Sequence, residues 1–266
     1  MLATSMNVTA IGPDLIVAVG ETYQANSLIV LNGRDALLVD AMASVADAEE
    51  LRQYVEVALD RRVRLIVSTH YFSDHMAGFR LFPDAQIIAH RNYLITFGVE
   101  RHRTPEEEAH FVAPSIVMSD ELVLRWGRHS LRLFYNPGHS PNTIAVDIPE
   151  ADLVHAGDTV VGNIVYFAYS APEALIPALE RVRGTGRSRL LTSHGDVGSI
   201  EAVDHALHYI GALREATRSV PQEGLRDLPL ERCLPAGVPP SDFERIFHQR
   251  NVEMLAERNM FFDSVS

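Results

Sequence analysis

The sequence predicts an α/β fold of two sheets with helices packed outside them. Two observations predict it. Short β-rich runs open the chain, strand-like and helix-like segments then alternate, and strands return afterwards. Four segments that pair His or Asp with small residues each fall at the end of a predicted strand. With 266 residues, 47% of them apolar, the chain can bury a sizeable core in one unit.

Residues 8–11, 15–19, 27–31 and 36–39 read as strands, with Gly12-Pro13 and Asn32-Gly33 between them. Asn-Gly between two apolar runs is a strong hairpin signal. The period changes over residues 44–60, where Leu51, Tyr54, Val55 and Ala58 share one helical face. Residues 63–67 form a short apolar run that reads as a buried strand and ends at Ser68-Thr69-His70. Further strands are predicted at 86–89, 121–126, 130–135, 143–148, 153–156 and 189–192, and helices at 172–182 and 200–218. Residues 220–240, rich in Pro, Gly and charge, read as a connector. Helical spacing resumes over 241–258, where Ser241 and Glu244 have capping-box spacing. The expected organisation is one domain over 1–219, with 220–266 a connector and helical tail packing on that domain. Three roles stay open for the tail helix: a lid, a contact in a homodimer, or packing on the core.

Composition narrows the function. Twenty-three basic and 35 acidic side chains give a net charge of −12, which argues against a nucleic-acid partner. The single cysteine, Cys233, precludes an intrachain disulfide and suits a reducing compartment. It lies far from the His clusters and reads as a bystander. The first residues have no signal-peptide pattern, and no stretch approaches the ~20 apolar residues of a membrane helix. A soluble, cytoplasmic protein with a small-molecule substrate is expected.

The four clusters carry the chemistry. They are His70-Tyr71-Phe72-Ser73-Asp74-His75, Asn136-Pro137-Gly138-His139-Ser140, His155-Ala156-Gly157-Asp158-Thr159 and Thr192-Ser193-His194-Gly195-Asp196. Imidazole and carboxylate are the usual ligands of zinc and iron. Strand-end turns let such groups converge from distant parts of the chain, and the glycines beside them permit tight paths. Some members of the clusters read differently. Asp196 has the placing of a cap for the helix near residue 200, and His155 reads as a strand residue. His90 reads as structural, and His205 and His208 as a solvated helix face. Tyr166, Phe167 and Tyr169 fit a pocket wall and a core equally well.

Residues 69–75 resemble the THxHxDH motif of the metallo-β-lactamase superfamily, and the later clusters match that family's downstream metal positions in order. The resemblance runs from about residue 16 to about residue 204. It implies an αββα four-layer sandwich of the metallo-β-lactamase type, here with a C-terminal helical extension, and a metal site in a groove at the sheet edges. It also implies that His70 and His139 bind a first metal, that Asp74, His75 and His194 bind a second, and that Asp158 bridges them. One position departs: Phe72 stands where the family has its second His. Three arrangements stay open: two metals with an added ligand, one metal in the Asp74 set, or one metal on His70, His139 and Asp158. The implied cofactor is one or two Zn2+, with Fe2+ as the alternative.

The activity that follows is hydrolysis of a small ester, thioester, lactone or amide by a metal-bound hydroxide, with Asp74 orienting the nucleophile or taking its proton. The alternative is a mononuclear non-haem iron oxygenase resembling the persulfide dioxygenases, since two His and one carboxylate suit Fe(II). A third reading is a metal-stabilised binding module without catalysis.

Overall fold

The computed structural model describes residues 6–99, 104–168, 170–258 and 261. Seven strands form the first sheet in sequence order: β1 (Asn7–Gly12), β2 (Leu15–Val19), β3 (Asn26–Asn32), β4 (Asp35–Val39), β5 (Arg62–Val67), β6 (Gln86–His90) and β7 (Ile116–Met118). Pairing is antiparallel from β1 to β4 and parallel from β4 to β7. The Asn32-Gly33 hairpin is present, with Asn32 opposite Asp35 and Gly33 at φ 58°. The second sheet has β8 (Glu121–Trp126), β9 (His129–Tyr135), β10 (Ile144–Ile148), β11 (Leu153–His155), β12 (Arg189–Leu191) and β13 (Gly198–Ser199), in the order β13-β12-β11-β10-β9-β8. Only β11 and β12 pair in parallel there.

Alternation along the strands builds the layers. Leu37 and Val39 of β4 meet Leu131, Val146 and Leu191 of the second sheet between the two sheets. Ala36 and Leu38, one residue out of phase, face Ala48, Leu51 and Val55 on the outside. Those three lie on α1 (Val45–Arg52) and its continuation as a π-helix over Gln53–Ala58, which together form the helix predicted from residue 44. On the far face, Val154 and Leu190 pack against α5 (Pro172–Arg183) and α6 (Glu201–Ser219). The result is the helix–sheet–sheet–helix sandwich.

Helices α2 (Ser73–Met76), α3 (Tyr93–Val99) and α4 (Pro105–His110), with β7 and β13, are additions to the sequence reading. Each is too short to show a period. After α6 the chain makes two short 3-10 turns and enters α7 (Asp242–Glu257). The expected capping box is formed: the Ser241 hydroxyl accepts from the Glu244 amide at 3.1 Å, and the Glu244 carboxylate accepts from the Ser241 amide at 2.6 Å. Phe247, Val252 and Leu255 of α7 belong to the same apolar cluster as α5 and α6. No helix among the described residues is long and apolar enough to cross a membrane.

Candidate metal centre

The parallel strands of both sheets end at one edge of the sandwich. Asp40 follows β4, His70 follows β5, Asp158 follows β11 and His194 follows β12, while His139 follows the antiparallel β9. Open α/β sheets place their sites at carboxyl ends of strands. Backbone bonds tie the two sheets together here: Asn26 N donates to Ser193 O at 3.0 Å, and Ile144 N to Thr69 O at 2.8 Å. Asn26 Nδ2 donates at 2.7 Å to both Thr192 O and Gly195 O, which shapes the His194 turn. Gly157, at φ +59°, makes the left-handed turn that sends Asp158 into the same space.

All six predicted residues converge. Asp158 Oδ2 lies 3.3 Å from His194 Nε2, 3.5 Å from His75 Nε2, 3.9 Å from His70 Nε2 and 4.0 Å from His139 Nε2. Asp74 Oδ1 is 3.4 Å from His75 Nε2, and Asp74 Oδ2 is 3.7 Å from His194 Nε2. Two sets share Asp158: Asp74, His75, Asp158 and His194, and His70, His139 and Asp158, with the donors of each set within 4.8 Å of one another. Ligands held at about 2.0–2.1 Å in a tetrahedron stand about 3.3 Å apart, so these separations suit a first-row metal. The unsatisfied atoms agree. His70 Nε2 and Asp158 Oδ1 are buried without a hydrogen-bond partner among the described residues, a costly state for polar atoms unless an ion or water completes them.

The rings are aimed by their other nitrogens. His194 Nδ1 donates to Tyr23 O at 2.9 Å, and His139 Nδ1 to Tyr166 O at 3.3 Å. Thr69 Oγ1 donates to Asp40 Oδ2 at 2.6 Å, so it accepts from His70 Nδ1 at 2.9 Å. These bonds turn the Nε2 lone pairs inward, as outer partners of metal-binding histidines do. Tyr23 and Gln24 are both at φ 54°. This local strain is held by Asp47, whose carboxylate accepts from Glu21 N at 3.2 Å and Thr22 N at 3.0 Å.

Charge is unevenly spread. Burial lowers His70 well below its ordinary value and also lowers His139, which favours the neutral imidazole in both. Burial opposes protonation of His75 too, yet the carboxylates of Asp74, Asp158 and Asp40 raise it to about 10. Burial raises Asp158, but His194 and His75 outweigh it and hold the carboxyl well below its usual range. A protonated His75 stands where a bound cation would supply the same positive charge. Asp40, fully buried, is pushed up to about 6 by burial, against the pull of His75.

Phe72 is buried beside the three-donor set. Its ring centroid is 5.2 Å from that of His70 and 5.7 Å from that of His139. Asp74, Asp158, His139 and His194 open into a cleft of ≈ 190 Å³ whose wall includes Tyr23, Tyr166, Phe247 and Arg250. Tyr166 therefore lines the cleft, Phe167 is core, and Tyr169 lies outside the described residues.

Several expectations need revision or extension. Asp196 does not cap α6: its carboxylate accepts from Val197 N at 2.7 Å and the Thr9 hydroxyl at 2.9 Å, while α6 starts after Ile200. On the helix face read as solvated, His208 is exposed and His205 is half-buried, its Nδ1 bonding Asn163 Oδ1 at 2.8 Å. His155 is a buried strand residue lowered to about 3 by burial, and His90 stacks on Tyr135 with centroids 3.9 Å apart. Sequence reasoning missed Asp40, Tyr23 and Arg250, and it gave no role to Thr69, the first residue of the matched motif. Asp40 alone had a signal: a carboxylate closing an apolar strand, Leu37-Leu38-Val39-Asp40.

The profile of the Metallo-beta-lactamase superfamily matches residues 20–220. The chain is 22% identical over 200 residues to the Metallo-beta-lactamase type 2 of Bacteroides fragilis, covering 73% of this chain and 78% of that one. It is 25% identical over 142 residues to the Atrochrysone carboxyl ACP thioesterase of Aspergillus fumigatus, covering 52% of this chain and 40% of that one. Among solved structures, the metallo-beta-lactamase from Pontibacter korlensis superposes with a TM-score of 0.67 at 19% identity, over 78% of this chain and 99% of that one. The DIM-1 metallo-beta-lactamase gives 0.62 at 18% identity, over 75% and 94%. The strand-end clusters, the sandwich and the family match agree, and the chain belongs to the metallo-beta-lactamase superfamily.

Proposed function

We propose that the chain is a metal-dependent hydrolase of a small ester, thioester, lactone or amide, with zinc as its metal. The observation that carries this reading is the sharing of one Asp158 oxygen by four imidazole Nε2 atoms at 3.3–4.0 Å, beside a half-buried Asp74 facing the cleft. Asp74, His75, His194 and Asp158 would hold one ion, and His70, His139 and Asp158 would hold a second. A divalent ion in such a site polarises a carbonyl and lowers the pKa of coordinated water to about 7. Asp74 is the catalytic residue: its carboxylate opens to the cleft and can orient the nucleophile or accept its proton. Asp158 fixes the spacing of the imidazoles. Tyr23 O and Tyr166 O keep His194 and His139 in the tautomer with Nε2 free. Phe72 and Phe247 give the cleft apolar wall surface. At saturating zinc, Asp74→Ala should lower turnover of a responsive ester by about a hundredfold or more. Unchanged turnover across an ester, thioester, lactone and amide panel would contradict the mechanism.

One observation favours a second reading. Phe72 packs against both His70 and His139, leaving that set as two His and one carboxylate. An iron-loaded protein that consumes oxygen with a thiol or persulfide would put this reading first. Iron without oxygen uptake would remove it.

A further inference from the structure

The family match ends at residue 220, before α7, yet α7 supplies two walls of the cleft, Phe247 and Arg250. The helix has two working stripes. Glu244, His248 and Asn251 recur at i, i+4, i+7 and anchor it, while Phe243, Phe247 and Arg250 recur at the same spacing one residue earlier and face the centre.

The anchoring stripe is buried and polar. Glu244 is 1% exposed, and its Oε1 accepts from Asn163 N at 2.5 Å and Asn163 Nδ2 at 2.8 Å. A Cβ on Gly162 would lie 2.7 Å from Glu244 Cγ, and Gly162 itself sits at φ +62°, so the loop is shaped to receive this carboxylate. Asn251 Nδ2 donates to Val165 O at 2.6 Å and to the Tyr209 hydroxyl at 3.0 Å. That hydroxyl donates to His248 Nδ1 at 2.9 Å, and His248 Nε2 donates to Leu228 O at 2.7 Å. The loop seized by Glu244 and Asn251 follows Asp158 and carries Tyr166, whose carbonyl aims His139. The helix is thus fixed to the segment that builds the centre.

The facing stripe is aromatic and ends in a cation. The Phe243 ring lies 5.3 Å from that of His194 and 4.9 Å from that of Phe247, and the Tyr166 ring is 5.0 Å from Phe247. The Arg250 guanidinium lies 5.3 Å from the Phe247 ring centroid. Among the described residues no carboxylate lies within 4.0 Å of it. Arg250 is exposed, and a face contact of this kind uses none of its N–H groups, so the guanidinium keeps its five donors for a ligand. Asp74 and Asp158 are committed to the metal ligand sets, which leaves Arg250 as the cleft's uncommitted charge.

We propose that Arg250, held over the centre by α7, binds a carboxylate on the substrate, whose apolar portion lies against Phe243, Phe247 and Tyr166. Resting on the hydrolase reading above, this narrows the substrate to a small carboxylate-bearing acyl compound. Size supports it: ≈ 190 Å³ is below the range of about 300–1,000 Å³ typical of drug-sized ligands. The planar guanidinium fork matches a carboxylate in two parallel bonds.

The test separates binding from turnover. Zinc-loaded protein is titrated calorimetrically with phenylpropionate, phenylpropanol and inorganic phosphate, and assayed with nitrophenyl hemiglutarate and nitrophenyl butyrate. The wild type should prefer phenylpropionate to the alcohol by roughly tenfold to a hundredfold, the range of a hydrogen bond to a charged group. Arg250→Ala should erase that preference and the matching kcat/KM preference for the hemiglutarate over the butyrate, and be partly rescued by Arg250→Lys. A preference that survives in Arg250→Ala would overturn the assignment, because the carboxylate then sits elsewhere. Phosphate binding more tightly than phenylpropionate would overturn it as well. If neither these esters nor the thioester, lactone and amide panel turn over while Arg250→Ala still erases the binding preference, the hydrolase reading fails and the carboxylate subsite stands. If both esters turn over at a ratio insensitive to Arg250, the subsite fails and the hydrolase reading stands.

Discussion

The two donor sets that share Asp158 are unequal in number and in charge. Asp74, His75, Asp158 and His194 close a four-donor set, with two carboxylates beside imidazoles drawn toward protonation. His70, His139 and Asp158 make a three-donor set with one carboxylate, lined by the Phe72 ring and by imidazoles that burial keeps neutral. The first has the donor count of a metal-holding site, and the second the open count of a site that keeps a position for water or substrate. One side chain makes the difference, since a His at residue 72 would add a donor next to His70 and His139. With a His at residue 72 the two sets would be equal in donor number.

Removing the shared group breaks the comparison outright. Asp158→Ala takes one carboxylate from both sets, and metal content by plasma mass spectrometry should fall toward zero, with turnover down more than about a thousandfold. Retention of one ion would mean that a set holds metal without Asp158. Asp40 acts on both sets from behind, through Thr69 to His70 and at 3.8 Å from His75 Nδ1. Asp40→Asn should weaken metal affinity by about 10–100-fold, the usual effect of an outer partner, and loss from only one set would show that Asp40 serves that set alone. Phe72→His should sharpen the comparison by erasing it: zinc affinity of the weaker site rises about tenfold or more while the tighter site stays unchanged. No change would exclude Phe72 as the cause of the inequality.

The smallest expected effect lies farthest out. Burial pushes Asp47 up, but hydrogen bonds from Thr22, Ser44 and Glu21 outweigh it and hold its carboxyl below the ordinary range. Its stabilisation is present above the unfolded value of about 3.9 and is lost as pH falls through the folded one. Asp47→Ala should lower thermal stability at neutral pH, and the difference from wild type should shrink as pH drops below about 4. It should also loosen the Tyr23 carbonyl on His194. A gap that widens in acid would contradict this.

The frame was legible because long elements have periods. The inward pair Leu37 and Val39 and the helical face of Leu51 and Val55 declare themselves by spacing. The four clusters were legible because each stands at a strand end, and the resemblance to the metallo-β-lactamase motif singled out His70, Asp74, His75, His139, Asp158 and His194 within them. What aims those side chains was not. The Tyr23 and Tyr166 contacts are made by backbone carbonyls, which every residue carries, so the sequence holds no mark of them. Arg250 lies 56 residues past His194 in a helix whose polar anchors, Glu244 and Asn251, look like ordinary surface residues until they are buried. Asp196 was misread because its hydroxyl partner, Thr9, comes from a strand 187 residues away.

The most direct test of a graded centre is calorimetric titration of metal-free protein with zinc, run on the wild type, His194→Ala and His139→Ala. Two unequal zinc sites are predicted, the tighter one vanishing in His194→Ala and the weaker one in His139→Ala. Two equal sites in the wild type, or loss of the tighter site in His139→Ala, would contradict the assignment of the closed set to Asp74, His75, Asp158 and His194.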